Sequence, residues 1–179
     1  IRARKGSGIA SQFFKEERLK GLMKEVVVTS GVLTRVLRLA CDGLGESFEK
    51  CLGFEVSGLL IGREGKREVL IDDMVAGDQI SRPYYTSLSN DFLARVAMEI
   101  SSGQIRGRIY GWFHSHVGLG LFLSSIDLKT LRNMQKLCRD AVALVVDPLT
   151  EERFRFFRYD FNLDRLYRLQ VRVIEHGYW

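Results

Sequence analysis

The sequence predicts an α/β (α+β) domain: one mixed β-sheet with helices on both faces. Three observations carry this. Helical and strand periodicities alternate in the order helix, hairpin, helix, strand, helix, hairpin. Residues 141–146 (Ala-Val-Ala-Leu-Val-Val) are apolar at every position, as in a strand buried on both faces. Two β-type segments fold back through short polar turns, at 64–66 and 147–148. A hydrophobic content of 46% in 179 residues supplies one core of ordinary size.

Residues 1–24 read as a basic N-terminal extension. Residues 1–25 hold seven Lys/Arg against three Glu, most of the chain's net charge of +5. Gly-Ser-Gly at 6–8 is a spacer, and Phe13, Phe14, Leu19, Leu22 and Met23 suit a short amphipathic helix. The catalytic domain is expected over 25–160. It opens with the β-rich run Glu25–Thr29, then a helix capped by Thr29 or Ser30, with Leu33, Val36, Leu37 and Ala40 on one face. Gly43 and Gly45 interrupt that helix, which is expected to resume through Phe48.

Residues 54–63 and 67–75 form the first hairpin. Glu55, a carboxylate at the start of an apolar strand, needs a partner, water or a chemical use. Residues 76–90, with Gly77, Pro83, Tyr84 and Tyr85, read as a long functional loop. Ser89 caps a helix that carries Phe92, Leu93, Val96, Ala97 and Ile100 and ends before Gly103. Residues 108–114 are a strand, and Ser124 opens a helix with Leu128, Leu131, Met134, Gln135 and Cys138 along it. Asp147-Pro148 turns the buried strand at 141–146 back into a strand at 153–159. Residues 161–179 are expected to hold a basic amphipathic helix, from the spacing of Leu163, Leu166, Tyr167, Leu169, Val173 and Ile174. His176, alone near its end, reads as solvated.

Composition narrows the function. No run of 18 apolar residues exists, so no membrane helix is expected. The basic N-terminus lacks an apolar leader core, and the missing initiator Met fits a start inside a longer chain. Cys41, Cys51 and Cys138 form no CxxC pair, which points to a reducing, cytoplasmic setting. Basic and aromatic residues do not interleave as in a base-reading surface, so no nucleic-acid partner is expected.

The chemistry concentrates at 111–127, which hold two of the three histidines. His114 and His116 are two apart on a strand end and point to the same face. Asp127 follows eleven residues later on the first turn of a helix, and the intervening loop is long enough to return it. Two histidines and a carboxylate leave a fourth position open, the layout of catalytic zinc. Ser124-x-x-Asp127 is also a capping box, and a helix start is the element that would hold Asp127 toward an ion. A metallo-β-lactamase-type site would need Asp where Gly118 stands, and an amidohydrolase pair belongs to a far longer chain.

His114-Ser-His116, seven residues, Ser124, two residues and Asp127 resemble the JAMM motif of the MPN+ metalloproteases. Glu55-Val-Ser-Gly-Leu-Leu-Ile-Gly62 resembles that family's Glu-bearing strand, and Val145-Val-Asp-Pro148 the strand and turn that follow. Gly111-Trp-Phe-His-Ser-His and the Gly-x-Gly before Leu123-Ser124 are most similar to the family's proteasome-lid deubiquitinating branch. Val117 departs from the usual Pro. That loosens the loop without touching a ligand.

The resemblance implies an MPN/JAMM-type sheet with cytidine-deaminase-like layering. It implies one Zn2+ per chain on His114, His116 and Asp127, and hydrolysis of isopeptide bonds between a lysine and ubiquitin or a ubiquitin-like modifier. Glu55 would be the general acid/base and Ser124 an oxyanion donor. Leu121 and Phe122 would wall the groove for the modifier's tail, with Tyr84 and Tyr85 beside it. For both Leu121 and Phe122, plain packing is the alternative. The implied partners are a ubiquitin-like conjugate and a proteasome or MPN-type subunit. The alternatives are a protease that trims a ubiquitin-like or sulfur-carrier precursor, and a silent MPN scaffold.

Overall fold

A computed structural model describes residues 25–44, 54–77, 79–82 and 85–175, without the side chains of 79–82 and 85–87. The expected leader helix, the helix resumption to Phe48, Cys51, Tyr84 and His176 lie outside the described residues. The elements are β1 (Glu25–Thr29), α1 (Ser30–Gly43), β2 (Ser57–Glu64), β3 (Glu68–Ala76), β4 (Gln79–Arg82), β5 (Tyr85–Leu88) and α2 (Asn90–Ser101). There follow β6 (Arg108–Ser115), α3 (Ser125–Leu137), β7 (Val142–Val146), β8 (Phe154–Asp160), β9 (Arg165–Leu169) and β10 (Val171–Ile174).

Eight strands form one mixed sheet in the order β10-β1-β3-β2-β6-β7-β8-β9. β1 runs parallel to β3 and β10, β6 runs parallel to β7, and the other pairs are antiparallel. The two edge strands are separated in the chain by Gln170 alone. A flat eight-stranded sheet would hold its edges about 33 Å apart, and one linking residue spans about 7 Å. The sheet therefore curls until its edges meet.

Period-2 alternation splits the core between two faces. On one, Val32, Val36 and Ala40 of α1 pack on Val28, Leu60, Phe113 and Leu144. On the other, Phe92 and Val96 of α2 and Leu131 of α3 pack on Leu59, Ile61, Trp112 and Val145. Adjacent Trp112 and Phe113 thus face opposite layers, and His114 stacks on Trp112 on the α2/α3 side. Each helix starts at a side-chain cap: Thr29 accepts from the Val32 amide, Ser89 from Phe92 and Ser124 from Asp127. Gly111 sets the β6–β7 spacing, since a Cβ there would stand 2.1 Å from the Val142 carbonyl oxygen.

Three expectations are corrected. Residues 165–174 are strands β9 and β10, not an amphipathic helix. The apolar residues fit both periods, but Val171, Val173 and Ile174 are β-branched, and the open edges of β1 and β8 each gain a partner. Arg172 ties this edge down through Glu25 (3.2 Å) and Glu68 (2.8 Å). Residues 76–90 are not an irregular loop but a second two-stranded sheet, β4–β5. Glu55 lies in the extended segment two residues before β2, not within it. No helix among the described residues is long and apolar enough to cross a membrane.

Candidate metal centre

β6 delivers the histidines and is fixed from both sides. His114 lies opposite Ser57 on β2 and Val145 on β7. The Ser115 amide donates to the Val56 carbonyl (2.8 Å), and Ser115 Oγ accepts from the Val56 amide (2.8 Å). The His116 amide donates to the Val146 carbonyl at 2.7 Å. Ser115 therefore couples the His-Ser-His segment to the stretch that carries Glu55.

Both imidazoles are buried, at 1% and 3% exposure, with their Nε2 atoms 3.1 Å apart. His116 Nδ1 lies 2.5 Å from the Gly120 carbonyl oxygen. A carbonyl only accepts, so Nδ1 carries a proton and Nε2 is the nitrogen that faces His114 and a bound ion. Asp127 completes the group. Its Oδ2 accepts the Ser124 amide (2.8 Å) in a full capping box and lies 3.6 Å from His114 Nε2. Capping and ligation are thus compatible in one carboxylate.

The three ligand atoms lie within 4.8 Å of one another. Ligands of a tetrahedral zinc, each about 2.0–2.1 Å from the ion, sit about 3.3 Å apart. The separations of 3.1 and 3.6 Å bracket that value, and the imidazole and carboxylate donors suit zinc. The residues present fit the ion. His114 Nδ1 and Trp112 Nε1 are buried without a hydrogen-bond partner among the described residues. The two rings stack at 4.6 Å.

Burial sets the electrostatics. It pushes the His114 pKa down to about 4, against the opposing pull of Asp127 and with a smaller push from His116. The ring is neutral at pH 7, as a ligand must be. Glu55 is 6% exposed, and burial, then the Asp127 charge, raises its pKa to about 7. Such a carboxyl both takes and gives a proton near neutrality.

The groove residues divide. Leu121, 8% exposed, belongs to the same core cluster as Leu59, Trp112 and Leu131. Phe122 is 46% exposed and lies 4.9 Å from the His116 ring. The backbone of Tyr85 lies in β5, and its side chain is outside the description. A cavity of about 790 Å³ opens beside the site, lined by Ser57, Leu88, Leu93, Trp112, Ile126 and Asp127 among others. Sequence reasoning missed Asp147, read there only as a turn residue. It is fully buried and accepts the amides of Gly118, Gly120 and Leu149. An acid closing an all-apolar strand was the available signal.

A family model described as JAB1/Mov34/MPN/PAD-1 ubiquitin protease matches residues 22–140, well over half the chain. The 26S proteasome regulatory subunit RPN11 of Encephalitozoon cuniculi is 38% identical over 99 residues, 53% of this chain and 33% of that protein. The ubiquitin carboxyl-terminal hydrolase RPN11 of Saccharomyces cerevisiae is 33% identical over 97 residues, 53% of this chain and 32% of the relative. The Caenorhabditis elegans protein F37A4.5 is 38% identical over 158 residues, 83% of this chain and 45% of the relative. The matches thus cover a third to a half of these relatives.

Proposed function

The chain belongs to the JAB1/Mov34/MPN/PAD-1 family, and from that premise we propose that it is a zinc-dependent isopeptidase that removes ubiquitin or a ubiquitin-like modifier from lysine. The observation that carries this is the convergence of His114, His116 and Asp127 within 4.8 Å on a buried strand end. RPN11 relatives named as proteasome subunits and as a ubiquitin hydrolase support the substrate class and a proteasome or MPN-type partner.

His114 Nε2, His116 Nε2 and an Asp127 oxygen would hold the ion. Bound there, zinc supplies Lewis acidity to the scissile carbonyl and lowers the pKa of its water. Glu55 takes the proton of the attacking water and delivers it to the departing lysine amine. Ser124 Oγ accepts the Asp127 amide at 3.3 Å, which uses a lone pair and leaves its hydroxyl hydrogen to donate to the developing oxyanion. The cap and the catalytic role therefore coexist. The modifier's extended tail would run through the cavity lined by Leu88 of β5, Leu93 of α2 and Ile126 of α3, past Phe122.

A silent scaffold has no need of two buried histidines beside a carboxylate, so the catalytic reading is preferred. The test is cleavage of a lysine-linked ubiquitin dimer by the parent, by chelator-treated protein and by protein with zinc restored. Activity lost and regained with zinc supports the proposal. Activity indifferent to chelation contradicts it.

A further inference from the structure

We propose that Asp147 is the positioning residue for His116, acting through the backbone of the Gly118–Gly120 turn; this rests on the metal-site reading above. Asp147 has no solvent exposure and closes β7 at the edge of the site. Its Oδ1 accepts the Gly118 amide at 3.1 Å and its Oδ2 the Gly120 amide at 2.8 Å. Oδ1 also accepts the Leu149 amide at 3.1 Å. One carboxylate thus clasps both sides of Leu119, and three amides offset the cost of burying it.

The clasped residues have unusual backbones. Gly118 has φ of +72° and Gly120 φ of +89°, the left-handed region that favours glycine. An added Cβ at Gly120 would meet no atom within 4 Å, so glycine is favoured there by its φ and not by crowding. The anchor comes from outside the loop. It ends on the residue whose carbonyl fixes the His116 proton on Nδ1. The next carbonyl, that of Leu121, accepts from Arg155 Nη1 at 3.1 Å. Asp147 is itself fixed, its amide donating to the Arg153 carbonyl at 2.9 Å. The β7–β8 hairpin therefore sets the orientation and tautomer of the ring that follows β6.

An aspartate is needed because two acceptor oxygens must meet two amides. Asn offers one, and its NH2 would confront an N–H donor. The test is Asp147→Asn, compared with the parent as metal-free, folded protein by 15N NMR of the imidazoles. The expected result is a single Nδ1–H tautomer for His116 in the parent and an exchanging mixture in the variant. Zinc affinity, measured by chelator competition, is expected to fall about 10–100-fold, as when other supports of a ligand are removed. An unchanged tautomer with unchanged affinity overturns the proposal. Should Asp147→Asn fail to fold, hydrogen exchange in the parent decides. The Gly118 and Gly120 amides are expected to be strongly protected, and exchange at unstructured-chain rates overturns the anchor. A parent that binds no zinc would sink the metal-site reading alone, because the tautomer comparison needs no metal.

Discussion

Glu55→Gln separates chemistry from stability. Burial and the Asp127 charge raise the Glu55 pKa from 4.5 to about 7. At ~1.36 kcal/mol per pKa unit, ionised Glu55 costs the fold up to about 3 kcal/mol. The proton is held more tightly in the folded state. Its contribution is therefore fully present below pH 4.5 and is lost as pH rises through about 7. Gln carries no charge and escapes the cost. Metal-free Glu55→Gln should exceed the parent in stability by about 3 kcal/mol at pH 8 and only about 1 kcal/mol at pH 5.

His114 has the opposite slope. Its pKa is lowered from 6.5 to about 4, so its contribution is present above pH 6.5 and lost toward pH 4. Both proteins share that term, and it cancels in the difference. The assay is urea unfolding of chelator-treated protein at the two pH values, followed by the fluorescence of buried Trp112. Chelation is essential because a bound cation would favour ionised Glu55. The same variant should keep its zinc and lose hydrolysis. A variant no more stable than the parent at pH 8, or one whose advantage ignores pH, refutes the burial argument.

Two further outcomes are expected. Ser124→Ala removes the α3 cap and the oxyanion donor together, so unfolding measurements should show a loss of about 1 kcal/mol, and the turnover rate should fall about 10²–10³-fold. A stability loss with full turnover would reduce Ser124 to a cap. A chain ending at Leu163 lacks β9 and β10, leaves the edges of β1 and β8 unpaired, and should fail to melt cooperatively. A native-like melt would contradict the reading that β9 and β10 hold the edges of the sheet.

Legibility in the sequence followed the range of the forces. Elements set by local chemistry were readable. The apolar run of β7, the hairpin of β2 and β3, and the hydroxyl caps Thr29, Ser89 and Ser124 each act within a few residues. The cluster that could hold a metal was readable because strand period and helix start between them place His114, His116 and Asp127. What failed was decided across the fold. Leu166, Tyr167, Leu169 and Val173 satisfy helical spacing, and only the open edges of β1 and β8, far off in sequence, make them strands. Asp147 reads locally as a turn residue, and its use lies 27 and 29 residues away at Gly120 and Gly118. Leu121 and Phe122 share a loop, yet the first joins the core cluster of Leu59 and Leu131 and the second stays 46% exposed beside the His116 ring, a difference set by partners far off in sequence.

The most direct measurement is the zinc content of the purified chain beside that of the His114→Ala and His116→Ala variants. One zinc per parent chain, and essentially none in either folded variant, is the expected result. A folded parent without zinc, or variants that keep it, would contradict a metal held by the end of β6 and the start of α3.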